Sequence, residues 1–178
     1  MEYVSGPIWS PHGFWRGHIG FEDGVIAEVG KGRAKDNVAE GIIMPTFINA
    51  HSHIVDYVVP VDLSMSLIEV VAPPNGLKYR VLGETPMERQ RQAVSYLSEC
   101  MLRKGTSAFS DFREGSVEGS MVLRSATGAR PFIMGKTRSP HFDRDEVQEL
   151  LKVSDGIGPS AISDWDYEEL RELSDLVH

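Results

Sequence analysis

Gly41-Ile-Ile-Met-Pro-Thr-Phe-Ile-Asn-Ala-His-Ser-His53 is an apolar run that closes on two histidines one residue apart. Side chains alternate along a strand, so His51 and His53 of an extended segment point to the same side. Two imidazoles side by side at a strand end can chelate one divalent cation. The alternative is a pair of loop histidines with no ligand role. The C-terminal end of a parallel strand, where sites of α/β sheets assemble, favours the metal.

Downstream of this run, strands alternate with helices. A helix follows Thr85, with Thr85-x-x-Glu88 as a capping box, Pro86 at its first position and Gly105 as its stop. Thr106–Phe112 reads as a second strand, Val117–Ser125 as a helix and Arg130–Gly135 as a third strand. Asp143-x-x-Glu146 starts another helix, Gly156–Ile162 is a short fourth strand, and Asp164 or Asp166 caps a last helix. Four β-then-α units in series predict an α/β fold with a parallel sheet and helices outside it. An open doubly wound sheet and part of a (βα)8 barrel both fit. About 138 residues follow position 40, whereas a complete barrel takes roughly 250, so only half a barrel fits.

Upstream, Phe14–Glu22 and Val25–Val29 are short strands joined by Glu22-Asp23-Gly24, a strong hairpin signal because Gly accepts positive φ. Lys31–Glu40 reads as a charged, Gly-containing loop. Residues 1–40 are therefore expected to be a small β module, and residues 41–178 the first four βα units.

Across its 178 residues the chain is 41% hydrophobic and 25% charged, which is ordinary for a globular protein and excludes disorder and coiled coil. Eighteen Lys and Arg against 26 Asp and Glu give a net charge of −8, which disfavours nucleic acid and anionic membranes as partners. No apolar stretch reaches the roughly 18 residues of a membrane span, and the acidic start lacks a secretory signal. With its lone Cys100, expected to be a small core residue, the chain reads as cytoplasmic. Trp9, Trp15 and Trp165 are expected to pack, and His12, His18 and His178 to lie at the surface. Asp111, Arg113 and Glu114 after the second strand, and Lys136, Arg138 and His141 after the third, are expected at a pocket rim. Glu114 and Lys136 are the candidates for contacting substrate.

Met44-Pro45-Thr46-Phe47-Ile48-Asn49-Ala50-His51-Ser52-His53 resembles the first-strand motif of the amidohydrolase superfamily, the metal-dependent hydrolases. Gly20-Phe-Glu-Asp-Gly-Val-Ile-Ala-Glu-Val-Gly30 is similar to the hairpin of that superfamily's N-terminal β-sandwich. The two motifs occur in the family's order and spacing; Thr46 departs from the Gly that usually follows the proline. The resemblance implies the first half of a (βα)8 TIM-like barrel preceded by part of a composite β-sandwich. It also implies a divalent metal on His51 and His53, zinc first and iron second, and a metal-activated water that hydrolyses non-peptide C–N bonds. Family members take further histidines from the fifth and sixth strands and an aspartate from the eighth, which have no counterpart before His178. The chain alone is therefore expected to be inactive, and either to self-associate or to be completed by a second half.

Two further features bear on the branch. Val55 stands where dihydroorotase-like members have Arg, and Gly156–Ile162 has no lysine for a bridging carbamate. With Asn49 before Ala-His, this resembles the cytosine-, guanine- and adenosine-deaminase-like branch. The implied substrate is a small nucleobase-like molecule, a cyclic amide or an amidine. The competing reading is a complete small α/β binding domain in which His51 and His53 are incidental.

Overall fold

The computed structural model describes residues 1–62, 64–72, 75–161, 163 and 165–177. The chain divides into two compact units, Met1–Thr46 and Phe47–His178. Among the described residues, no helix is long and apolar enough to cross a membrane.

The first unit is a four-stranded sheet of β1 (Glu2–Ser10), β2 (Gly13–Glu22), β3 (Val25–Lys31) and β4 (Asn37–Glu40), in the order β3-β2-β1-β4. The β2–β3 hairpin turns at Asp23 and Gly24, both at positive φ (52° and 76°), as a tight two-residue turn requires. Two expectations are corrected here. The segment read as a loop, 31–40, contains β4, which runs parallel to β1. And β1, hidden by its Gly6-Pro7 pair, is an inner strand. Pro7 still accepts through its carbonyl, from the Ile43 N–H at 2.8 Å. Gly6 has φ 152°, and a Cβ there would sit 1.9 Å from the Gly41 carbonyl oxygen, so the close approach excludes a side chain.

Three surface and packing expectations are also revised. His18 is not a free surface residue, because its ring bonds the Gly32 carbonyl at 3.0 Å and Glu28 at 3.3 Å. Trp9 is 44% exposed rather than packed. In the second unit Cys100 is half-buried, while Trp165 is buried edge-on against Phe142. His178 and Asp164 lie outside the described residues; Asp166 accepts from the Glu169 N–H at 2.9 Å and caps the last helix.

The second unit has four parallel strands in sequence order: β5 (Phe47–Ser52), β6 (Thr106–Arg113), β7 (Arg130–Gly135) and β8 (Gly156–Ile157). That is the order of the first half of a (βα)8 barrel, and it excludes the doubly wound alternative. The first of these strands begins at Phe47, later than expected, and β8 is two residues long; Ile162 lies outside the described residues.

A 3₁₀ turn (Ile54–Val58), α1 (Leu67–Val71) and α2 (Leu77–Glu84) precede α3 (Met87–Arg103), and α4 (Ser116–Leu123), α5 (Arg144–Leu151) and α6 (Tyr167–Val177) follow the later strands. The capping box at Thr85 does not form. Thr85 ends α2, its hydroxyl donating to the Val81 carbonyl at 2.7 Å, and Pro86 is the N-cap of α3 without a side-chain bond. The core lies between helices and sheet: Val94, Val122 and Leu123 pack with Phe109 and Ile133, and all five are fully buried. Burying such a side chain contributes about 1.5–3 kcal/mol. Phe47 and Phe132 remain exposed on the strands.

Candidate metal and substrate site

At the end of β5 the chain alternates. His51 and His53 face one side, and Ser52 between them turns to the other, where its hydroxyl reaches Asp111 Oδ2 at 2.8 Å. The imidazole centres are 5.2 Å apart at 77°. Two imidazoles that each place a nitrogen about 2.0–2.1 Å from one tetrahedral ion have centres roughly 5 Å apart. Both rings lie by Phe112 of β6, which stacks on His51 at 4.5 Å.

The His53 Nδ1 lies 2.9 Å from the Phe112 carbonyl oxygen. That oxygen can only accept, so Nδ1 carries the proton and Nε2 of the neutral ring keeps a lone pair for a cation. A hydrogen bond of this kind, from the nitrogen not bound to metal, is how proteins orient histidine ligands. The donor set thus fits a divalent ion of the zinc or iron type. Among the described residues, no group of three or more His, Cys, Asp and Glu side chains converges. The pair stands there without a third ligand.

Asp111 and Arg113, expected at the rim, are instead buried on the helix side of β6. Strand alternation puts them opposite Phe112. Asp111 Oδ2 accepts from the Ile54 N–H at 2.6 Å and so pins the chain just after His53, while Oδ1 is buried without a partner among the described residues. Burial raises the Asp111 pKa, against the opposing bonds from Ile54 and Ser52. Arg113 donates to Gln90 Oε1 at 2.7 Å and to the Gly119 carbonyl at 3.3 Å.

Glu114 does reach the cleft. A cavity of about 510 Å³ is lined by His51, His53, Asp56, Lys78, Phe112, Glu114 and Lys136, among others. A second, of about 760 Å³, shares Glu114 and Lys136 and extends to Arg138, His141 and Trp165. At the floor, Lys78 Nζ lies 2.9 Å from Asp56 Oδ2 and 2.8 Å from Glu114 Oε1. Burial opposes the charge on Lys78, but the bond and charge of Glu114, then of Asp56, hold its pKa above the ordinary lysine value. Burial likewise works against Glu114, yet Lys78 holds it below the ordinary carboxylate value. Lys78, Asp56 and Tyr79 escape a reading based on strand ends, because α2 has no clear apolar period. They come from a 3₁₀ turn and a helix in the connection between β5 and α3, where strand-end spacing gives no signal.

No family model matches the chain. Over 178 aligned residues it is 34% identical to "Putative aminohydrolase" of Methanothermobacter thermautotrophicus, an alignment covering 90% of this chain and 45% of that protein. The chain spans less than half the length of the curated relatives it matches. Among solved structures it is similar to atrazine chlorohydrolase TrzN from Arthrobacter aurescens TC1 complexed with zinc. That match has a TM-score of 0.66 and 15% identity, over 99% of this chain and 50% of that one. E. coli guanine deaminase matches with a TM-score of 0.58 and 15% identity, over 85% and 43% of the two chains.

Proposed function

Because the chain belongs to the amidohydrolase superfamily, corresponding to the N-terminal half of its relatives, we propose that it forms part of a metal-dependent hydrolase of non-peptide C–N bonds, deaminase-like in its chemistry. His51 and His53 hold the ion, zinc in first place and iron in second. The bond from His53 Nδ1 to the Phe112 carbonyl carries this reading, because it leaves Nε2 free on the side of the cleft. A divalent ion there supplies the Lewis acidity that lowers the pKa of water and polarises the scissile centre.

The chain's own residues shape the substrate site. Phe112 gives a planar wall beside the histidines, in keeping with a nucleobase-like ring, a cyclic amide or an amidine. Glu114, held ionised by Lys78, accepts from substrate N–H groups, and Lys136 donates to substrate oxygen or nitrogen. With two imidazoles and no third ligand brought together among the described residues, the 178-residue chain is inactive alone in this reading. The remaining ligands come from a second half, or the exposed Phe47, Ile48 and Phe132 drive self-association. The net charge of −8 disfavours nucleic acid and anionic membranes as partners, and the single cysteine suits a cytoplasmic setting.

The experiment is ammonia release from aminated purines, pyrimidines and triazines by a zinc-loaded protein that contains this chain and the second half found in its relatives. Turnover abolished by His53→Ala is the expected result. Turnover that survives His51→Ala and His53→Ala together would leave these histidines incidental.

A further inference from the structure

Five residues line both cavities: Tyr79, Glu114, Lys136, Pro159 and Ser160. Their charges are not balanced among themselves. Glu114 is committed to Lys78, with Arg113 3.8 Å away. The other cations of the cleft walls are also neutralised: Lys78 by Asp56 and Glu114, and Arg138 by Glu118 at 2.6 Å. Among the described residues, half-buried Lys136 has no carboxylate within ion-pair distance, and its ammonium donates to the Ser160 hydroxyl.

Ser160 accepts through its oxygen in that bond, so its own O–H is left to donate. Tyr79 is half-buried, and its hydroxyl has no hydrogen-bond partner among the described residues. Burial, then the charge of Glu114, raises its pKa, so it remains an O–H donor at neutral pH. The junction therefore offers an ammonium and two hydroxyl donors with unspent capacity. An ammonium that lines a cleft with no carboxylate in ion-pair reach is open to an incoming anion, which gains charge-assisted hydrogen bonds there.

We propose that the junction of the two cavities is an anion subsite, in which Lys136, Tyr79 and Ser160 bind a carboxylate or phosphate group carried by the substrate. That this anion belongs to the substrate rests on reading His51 and His53 as the hydrolytic centre. The neutral ring then lies towards Phe112 and the histidines, and the charged substituent lies towards the outer cavity.

The test uses metal-free protein at constant ionic strength, with inorganic phosphate or acetate replacing chloride. Either anion is expected to raise the Tm by about 2–4 °C once it is several-fold above its dissociation constant. Lys136→Met removes the effect, Tyr79→Phe reduces it, and the double variant His51→Ala/His53→Ala leaves it intact. A response to phosphate alone assigns a phosphorylated substrate, and a response to acetate alone assigns a carboxylate. Protection of Lys136 from acetic anhydride by the same anions, read by peptide mass, repeats the test without any substitution, should the variant fail to fold. Equal Tm values in chloride, phosphate and acetate, with Lys136 acylated equally in all three, would overturn the subsite. Loss of metal binding in the histidine variants is a separate readout, so failure of the hydrolase reading and failure of the subsite are distinguishable.

Discussion

The Nδ1 atom of His53 donates to the Phe112 carbonyl oxygen across 2.9 Å, so strand β6 decides which nitrogen of a β5 histidine is free. The same residue stacks its ring on His51 at 4.5 Å. One position thus orients both imidazoles, by its backbone for one and its side chain for the other. Phe112→Ala keeps the carbonyl and removes the ring, and is expected to weaken metal binding about 10–100-fold, the range seen when ligand-orienting groups are lost. Chelator competition measures this. Unchanged affinity would mean that the stack does not hold His51.

Lys78→Met is expected to destabilise the second unit by about 1–3 kcal/mol, because Asp56 and Glu114 lose the cation they share and are left facing each other. Urea unfolding is the measurement. Substrate affinity should fall as well, since Glu114 then lacks the partner that fixes it.

The pH dependence of that difference has a definite sign. The Glu114 pKa is lowered in the fold, so its contribution is present above the ordinary carboxylate pKa and is lost as pH falls through the lowered one. The Lys78 pKa is raised, so its contribution is present below the ordinary lysine pKa and is lost only as pH rises through the raised one. The stability advantage of wild type over Lys78→Met should be flat around neutrality and shrink first on the acid side. Unfolding series from about pH 3 to about pH 9 check it.

Two glycines give a matched pair. A Cβ on Gly119 would lie 1.9 Å from the Glu114 carbonyl oxygen, whereas one on Gly83, within α2, meets nothing within 4 Å. Gly119→Ala should displace the Glu114 loop and cost both stability and substrate binding. Gly83→Ala should add up to about 0.5 kcal/mol by removing glycine from the last turn of α2. Opposite shifts in Tm are the expected outcome.

Much of the second unit was legible because its signals are local. The apolar run ending in His51-Ser-His53 marks a strand end, Arg130–Gly135 matches β7 in both bounds, and Asp143 caps α5 by accepting from the Glu146 N–H. What was hidden depends on partners distant in sequence. Gly6-Pro7 lies inside β1 because it pairs with Gly17 and Arg16 of β2 on one side and Pro7 accepts from the Ile43 N–H on the other. Thr85 has a capping-box partner in Glu88, but its hydroxyl is spent on Val81 at the end of α2. Asp111 and Arg113 look like rim residues until strand alternation turns them inward. Lys78 enters the site only because α2 folds its ammonium between Asp56 of the 3₁₀ turn and Glu114 at the end of β6, a relation that no spacing encodes.

Exposed Phe47, Ile48 and Phe132 give a further expectation: residues 1–178 in isolation should self-associate, as light scattering after size-exclusion chromatography would show. A monodisperse monomer would mean that these apolar strands are covered within the chain itself.

The most direct measurement is the metal content, by plasma mass spectrometry, of purified protein that contains this chain and the second half found in its relatives, with and without His51→Ala and His53→Ala. Wild type is expected to retain zinc or iron at a fixed stoichiometry after dialysis, and each variant to lose it while keeping its circular dichroism spectrum. Metal retained equally in wild type and the double variant would contradict the assignment of His51 and His53 as ligands.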